Sequence, residues 1–126
     1  MAKKKLLWSA KPQNEDYQAA LDYLSLISSE ARAKSRVSEL RRAPVIHRSA
    51  KDLLRASRLA LLPPKEAHVR SDLKKIARQK ALSPVLLVRG NLGQGAPLTV
   101  ADGYHRICAV CHFDESAPVA AQIVDP

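Results

Sequence analysis

Apolar residues recur at helical intervals through the first two-thirds of the chain, and short aliphatic runs take over in the last third. Tyr17, Leu21, Leu24 and Ile27 follow Asn14 at three- and four-residue spacing, so a helix capped by Asn14 is expected from Glu15. Ser28-Ser29 weakens that pattern, and Ala31, Ala33, Val37 and Leu40 carry it on, as the same helix or a second one, to the break at Pro44. Pro44-Val45-Ile46-His47 suits a connector or a brief edge strand. Ser49 is the expected cap of the next helix, with Asp52 in its first turn and Leu53, Leu54 and Ala56 on its packed face. Pro63-Pro64 ends any helix reaching that far. Ser71 then reads as a further cap, followed by Leu73 and Ile76 within a ring of Lys74, Lys75, Arg78 and Lys80.

After Ser83-Pro84 the period changes. Val85-Leu86-Leu87-Val88 and Leu98-Thr99-Val100-Ala101 are β-prone runs separated by Gly90, Asn91, Gly93 and Gly95, which predicts a hairpin with a long glycine-rich loop. Asp102-Gly103 stops the second run, a helix is expected through His112 or Phe113, and Val119–Val124 returns as a last strand. The mixture predicts a small α+β fold, with strand order left open.

Composition supports one compact domain. A chain of 126 residues, 46% hydrophobic and only 4% aromatic, buries about two-thirds of its extended surface around aliphatic side chains. Residues 1–43 form a basic arm and helical extension, in which Trp8 is a packing anchor should the arm dock back, and residues 44–126 form the main domain. The opening MAKKKLLWSA lacks the apolar run of a signal peptide, and no stretch is long enough to cross a bilayer. Cys108 and Cys111 are too close together to frame a disulfide-built secreted domain. A cytoplasmic protein without a membrane partner is expected, with a homo-oligomer left open.

Charge adds the question of partners. The net charge is +9, and residues 32–80 hold 15 Lys or Arg against four acids. Arg55, Arg58, Arg70, Lys74, Lys75 and Arg78 are therefore candidate contacts to a nucleic-acid backbone, and equally the solvated faces of ordinary helices.

The most informative stretch is TVADGYHRICAVCHF, residues 99–113. Gly103 allows a sharp turn, the amides around 104–106 begin a helix unpaired, and His105 and Arg106 add donors suited to phosphate oxygens. Tyr104 can close such a site over a sugar or base, or simply pack. Asp102 can orient His105 or Arg106, or hold a hydrated cation beside phosphates, and Asp102 with His105 is the local candidate for acid-base catalysis. An ordinary Asp-Gly turn followed by a surface ion pair explains the same string. It has neither the Gly-x-Gly-x-x-Gly fingerprint nor a P-loop ending. His105, Cys108, Cys111 and His112 do not share one helix face closely enough for a closed zinc site, and Glu66 with His68 reads as a polar patch that stabilises a turn.

Leu98 through Val110, with the flanking runs Ser83–Arg89 and Val119–Val124, resembles the strand, turn and helix of the ParB-like and sulfiredoxin-like superfamily over about residues 44–124. The resemblance implies a small mixed-sheet, nucleotide-associated domain with Gly103, Tyr104, His105 and Arg106 at the phosphate-facing turn, and ATP or CTP with Mg as ligand. The sulfiredoxin-like branch carries a reactive cysteine directly before its His-Arg pair; Tyr104 stands there, which argues against sulfinic-acid repair. Two alternatives stand beside simple nucleotide binding. The resemblance to the ParB-like branch implies a metal-dependent nuclease using Asp102, and the basic middle of the chain separately suggests a DNA- or protein-binding accessory without catalysis.

Overall fold

The computed structural model describes residues 4–126, so the first three residues of the expected basic arm lie outside it. Among the described residues, nine helices and strands follow in the order α1 (Asn14–Ile27), α2 (Glu30–Arg42), β1 (Ile46–Ser49), α3 (Ala50–Ser57), α4 (Ala67–Ala77), β2 (Val85–Val88), β3 (Thr99–Asp102), α5 (Tyr104–Phe113) and β4 (Pro118–Val124), with one 3-10 turn at Leu92–Gln94. The protein is α+β, and its four strands form one mixed sheet in the order β1-β4-β2-β3. Strands β2 and β4 run parallel, and the two outer pairings are antiparallel.

The two central strands explain why the aliphatic runs show no polar alternation. Val85 and Leu87 of β2 enter the core shared with α3, α4 and α5, while Leu86 and Val88 enter the core shared with α1 and α2. A strand covered on both faces is apolar at nearly every position. The α1–α2 hairpin thus closes one face of the sheet with Tyr17, Ala20, Leu24, Val37 and Leu40. Within that layer Gln122 of β4 is buried yet satisfied: it accepts from the Tyr17 hydroxyl at 2.6 Å and donates to Ala43 O at 2.7 Å.

Several helix starts differ from the pattern of caps in the sequence. Helix α1 begins one residue early, because the Asp16 carboxylate accepts from the Gln13 amide at 2.9 Å and Asn14 becomes the first helical residue. The Ser28-Ser29 pair separates two helices, and the Ser29 hydroxyl accepts from Arg32 N at 3.1 Å. Ser49 occupies the cap position of α3, but its hydroxyl donates to Asp52 Oδ2 at 2.8 Å instead of capping an amide. The largest shift is in α4, which starts four residues before Ser71 because Glu66 takes the Val69 amide at 2.8 Å. The arm docks back at Trp8, where Ser9 N donates to Leu82 O and Leu82 N to Leu7 O, both at 2.8 Å. Among the described residues no helix is long and apolar enough to cross a membrane.

Candidate functional site

Strand β3 reaches the site through a bulge. Leu86 pairs with Asp102 and Leu87 with Val100, so Ala101 is an extra residue that re-aims the end of the strand. Ala101 drops into the α1–α2 core, and Asp102 arrives close to Asp16 at the start of α1. The chain then turns at Gly103, whose φ of 109° lies in the region open to glycine. A Cβ there would meet Val85 Cγ1 at 2.4 Å, so packing against β2 requires glycine as firmly as the backbone does.

Helix α5 starts at once. Its first backbone bond runs from Ile107 N to Gly103 O at 3.0 Å, and no side chain among the described residues caps it. The amides of Tyr104, His105 and Arg106 therefore form an uncapped, partially positive end. His105 leans against His68 of α4, with ring centroids 4.8 Å apart. Between the two helices lies a cleft of about 230 Å³ lined by His68, Ser71, Asp72 and Lys75 from α4 and by Gly103, His105 and Arg106 from the turn.

Arg106 lines the cleft but spends its donors inside the protein. Its Nη1 donates to Ser83 O at 2.6 Å, to the Ser83 hydroxyl and to Pro84 O at 3.3 Å, and Nη2 donates to Asp102 Oδ2 at 2.5 Å. Asp102 is thus held behind the turn by the guanidinium. Burial pushes its carboxyl above the ordinary aspartate range against the pull of Arg106, and the nearby Asp16 adds to the rise. Asp72, 3.8 Å from Lys75, is likewise raised chiefly by burial, opposed by Lys75, Arg106 and the two histidines.

Tyr104 and His112 serve the far side of α5. The Tyr104 hydroxyl donates to Ala60 O, and the His112 ring nitrogen Nε2 donates to Leu62 O at 2.6 Å, which ties the proline-rich α3–α4 connection to the helix. Cys108 is buried, Cys111 is half-buried, both are free thiols, and burial raises both above the ordinary thiol range. Neither has the thiolate character of a reactive cysteine. Among the described residues no three His, Cys, Asp or Glu side chains converge as a metal-holding group.

The basic residues divide into separate surfaces. Arg70, Lys74 and Arg78 are exposed on or just after α4, and only Lys75 of that helix's cations faces the cleft. Arg55 and Arg58 stand at the end of α3 and line a different groove. Reading the sequence leaves His68 and Asp72 in a turn-stabilising polar patch and Ser71 as a cap, so none of the three is singled out for the site. They share a face with Lys75 at positions i, i+3, i+4 and i+7, a stripe that emerges only when α4 starts at Ala67. Taking Ser71 as a cap hides it. No protein-family model matches the chain, and neither a curated protein nor a solved structure shows significant similarity to it.

Proposed function

We propose that this protein is a small ParB/sulfiredoxin-like phosphate- or nucleotide-binding protein, and that its anion site is the α4–α5 cleft. The observation that carries the reading is the convergence of Lys75, His68, His105 and the Ser71 hydroxyl on a cleft that also borders the uncapped N-terminus of α5. Cations, neutral donors and a helix N-terminus together favour a phosphate over a neutral ligand. At about 230 Å³ the cleft accommodates a phosphoryl group, and a nucleoside would extend from its open mouth. The DGYHR turn, placed between an aliphatic strand and a helix, supports the same reading by its resemblance to that superfamily's phosphate-facing turn.

In this assignment His105 and the turn amides contact the phosphate directly. Gly103 sets the approach of the backbone, while Arg106 holds the turn in shape and contributes long-range positive charge. Binding without hydrolysis is favoured over the nuclease alternative because the nearby carboxylates, Asp102 and Asp72, are paired with Arg106 and Lys75. Metal-dependent cleavage asks instead for several oxygen ligands free to converge on one ion.

Calorimetric titration with inorganic phosphate, and with ATP and CTP in the presence and absence of Mg, tests the assignment. Saturable binding that weakens about tenfold in both Lys75→Ala and His105→Ala, with unchanged thermal midpoints, is the expected result. Absence of saturable binding to all of these ligands, or an affinity unchanged from the wild type in both variants, defeats it.

A further inference from the structure

A second concavity lies apart from the cleft and has a different chemistry. It encloses about 710 Å³, roughly three times the volume of the α4–α5 cleft, between α3 and the loop that joins β2 to β3. Its rim carries four guanidiniums drawn from separate parts of the chain: Arg48 on β1, Arg55 and Arg58 at the end of α3, and Arg89 directly after β2. Its floor is aliphatic, built from Leu53, Leu98 and Ile123. Leu92 borders it on the 3-10 turn and is 98% exposed, so the groove's edge presents a free aliphatic side chain.

The rim charges are unevenly satisfied. Arg55 lies 3.6 Å from Asp52 and Arg89 2.9 Å from Asp125, so two of the guanidiniums already hold carboxylates of the protein itself. Among the described residues no carboxylate pairs with Arg48 or Arg58. Arg58 also adopts a left-handed backbone, φ 59°, which is uncommon for a side chain of its kind.

We propose that this groove docks an acidic, amphipathic peptide segment of a partner protein. Carboxylates of the segment pair with Arg48 and Arg58, and its aliphatic side chains lie on Leu53, Leu98 and Ile123 beneath Leu92. Single-stranded nucleic acid fits less well. No aromatic residue lines the groove to stack a base. In addition, Asp52 at the rim, and Asp125 held by the rim residue Arg89, would oppose a continuous run of phosphates. A segment that alternates carboxylates with aliphatic groups matches both rim and floor, in the manner of a short peptide in an apolar groove.

Short random peptides displayed on phage are selected against the full chain and, in parallel, against an Arg48→Glu/Arg58→Glu variant with an unchanged thermal midpoint. Sequences that mix Asp or Glu with Leu, Ile or Val are expected to enrich on the wild type alone. A synthetic fluorescein-labelled consensus peptide should then lose affinity about tenfold or more in the charge-reversed variant, and less steeply in Leu92→Ser. No enrichment over the variant, or enrichment of peptides without acidic residues, overturns the proposal. So does tighter binding of a random single-stranded DNA or RNA pool through the same two arginines. None of these outcomes bears on the α4–α5 cleft, whose lining residues are different.

Discussion

Arg106 and Asp102, four residues apart across the β3–α5 turn, form a charge-assisted hydrogen bond of 2.5 Å with side chains only 12% and 19% exposed. The same guanidinium reaches Ser83 and Pro84 at the entrance to β2 and lies 3.7 Å from Asp16 of α1. It therefore joins three segments that are distant in the chain. Truncating one partner of a buried pair leaves the other charge without compensation, so Arg106→Ala should lose about 3–5 kcal/mol of stability in urea denaturation. Arg106→Lys should recover only part, because one ammonium cannot reproduce a planar fork that serves several acceptors. A loss below about 1 kcal/mol for the alanine variant would show that the guanidinium is not a structural tie.

Gly103 is constrained twice at the same turn. The Cβ of an alanine would sit 2.4 Å from Val85 Cγ1 and 2.7 Å from Val85 Cβ, on a backbone with φ 109°. Val85 is fully buried in the central strand and has no room to retreat. Backbone strain and overpacking act together, and Gly103→Ala should cost about 2–5 kcal/mol. Chemical denaturation of the purified variant measures it; a cost under about 1 kcal/mol would mean that the turn adopts another conformation.

Local pattern made the strands legible, while long-range relations stayed hidden. Val85–Val88 and Val119–Val124 could be read as strands because both faces of each are covered, and a nearly continuous aliphatic character, interrupted only by Gln122, follows from that burial. The parallel pairing of Val85 with Ala121 left no trace, since register depends on the fold of everything between them. Gly103 was visible as a turn because its requirement is local. Arg106 carried the signal of a phosphate ligand, yet its acceptors at Ser83 and Pro84 lie more than twenty residues earlier, where no spacing rule reaches. The α4 stripe failed for a subtler reason: Glu66 is a less favoured cap than Ser71, and it displaced the apparent helix start by five residues.

Tyr17 and Gln122 tie α1 to the sheet at a buried position. The hydroxyl donates to Gln122 Oε1 at 2.6 Å, while Gln122 Nε2 is committed to Ala43 O. Removing the hydroxyl leaves a buried acceptor without its donor, so Tyr17→Phe should destabilise by about 1–3 kcal/mol. Pairing it with Gln122→Leu removes the orphaned group, and thermal denaturation should find the double variant less damaged than the sum of the single ones.

The connection from Ser57 to Glu66 is held to α5 by Tyr104 and His112 rather than by secondary structure of its own. It contains two trypsin sites, after Arg58 and after Lys65. Tyr104→Phe deletes the bond to Ala60 O and should cost only about 1 kcal/mol globally. The effect on local opening should be larger than that figure suggests, because the segment has few other ties. Limited trypsin digestion followed by mass spectrometry should show faster cleavage at these two sites, with other sites unchanged. Equal rates in variant and wild type would locate the anchoring elsewhere.

Asp72 gives the cleft a pH dependence whose sign follows from its burial. Its carboxyl is raised above the ordinary aspartate value of 3.8 chiefly by burial, and Lys75, Arg106, His105 and His68 offset the rise only in part. The folded protein holds this proton more tightly than the unfolded chain does. Stability from the group is therefore fully present below 3.8 and is lost as pH rises through the folded value. Asp72→Asn, which cannot ionise, should gain stability relative to the wild type across that window and match it below. The same ionisation places a negative charge in the proposed phosphate cleft, so the asparagine variant should bind inorganic phosphate more tightly at neutral pH, with the two affinities converging as the wild-type carboxyl is protonated. Titration calorimetry on both proteins at a series of pH values isolates the contribution of Asp72. A constant affinity ratio across the series would show that Asp72 does not face the bound anion.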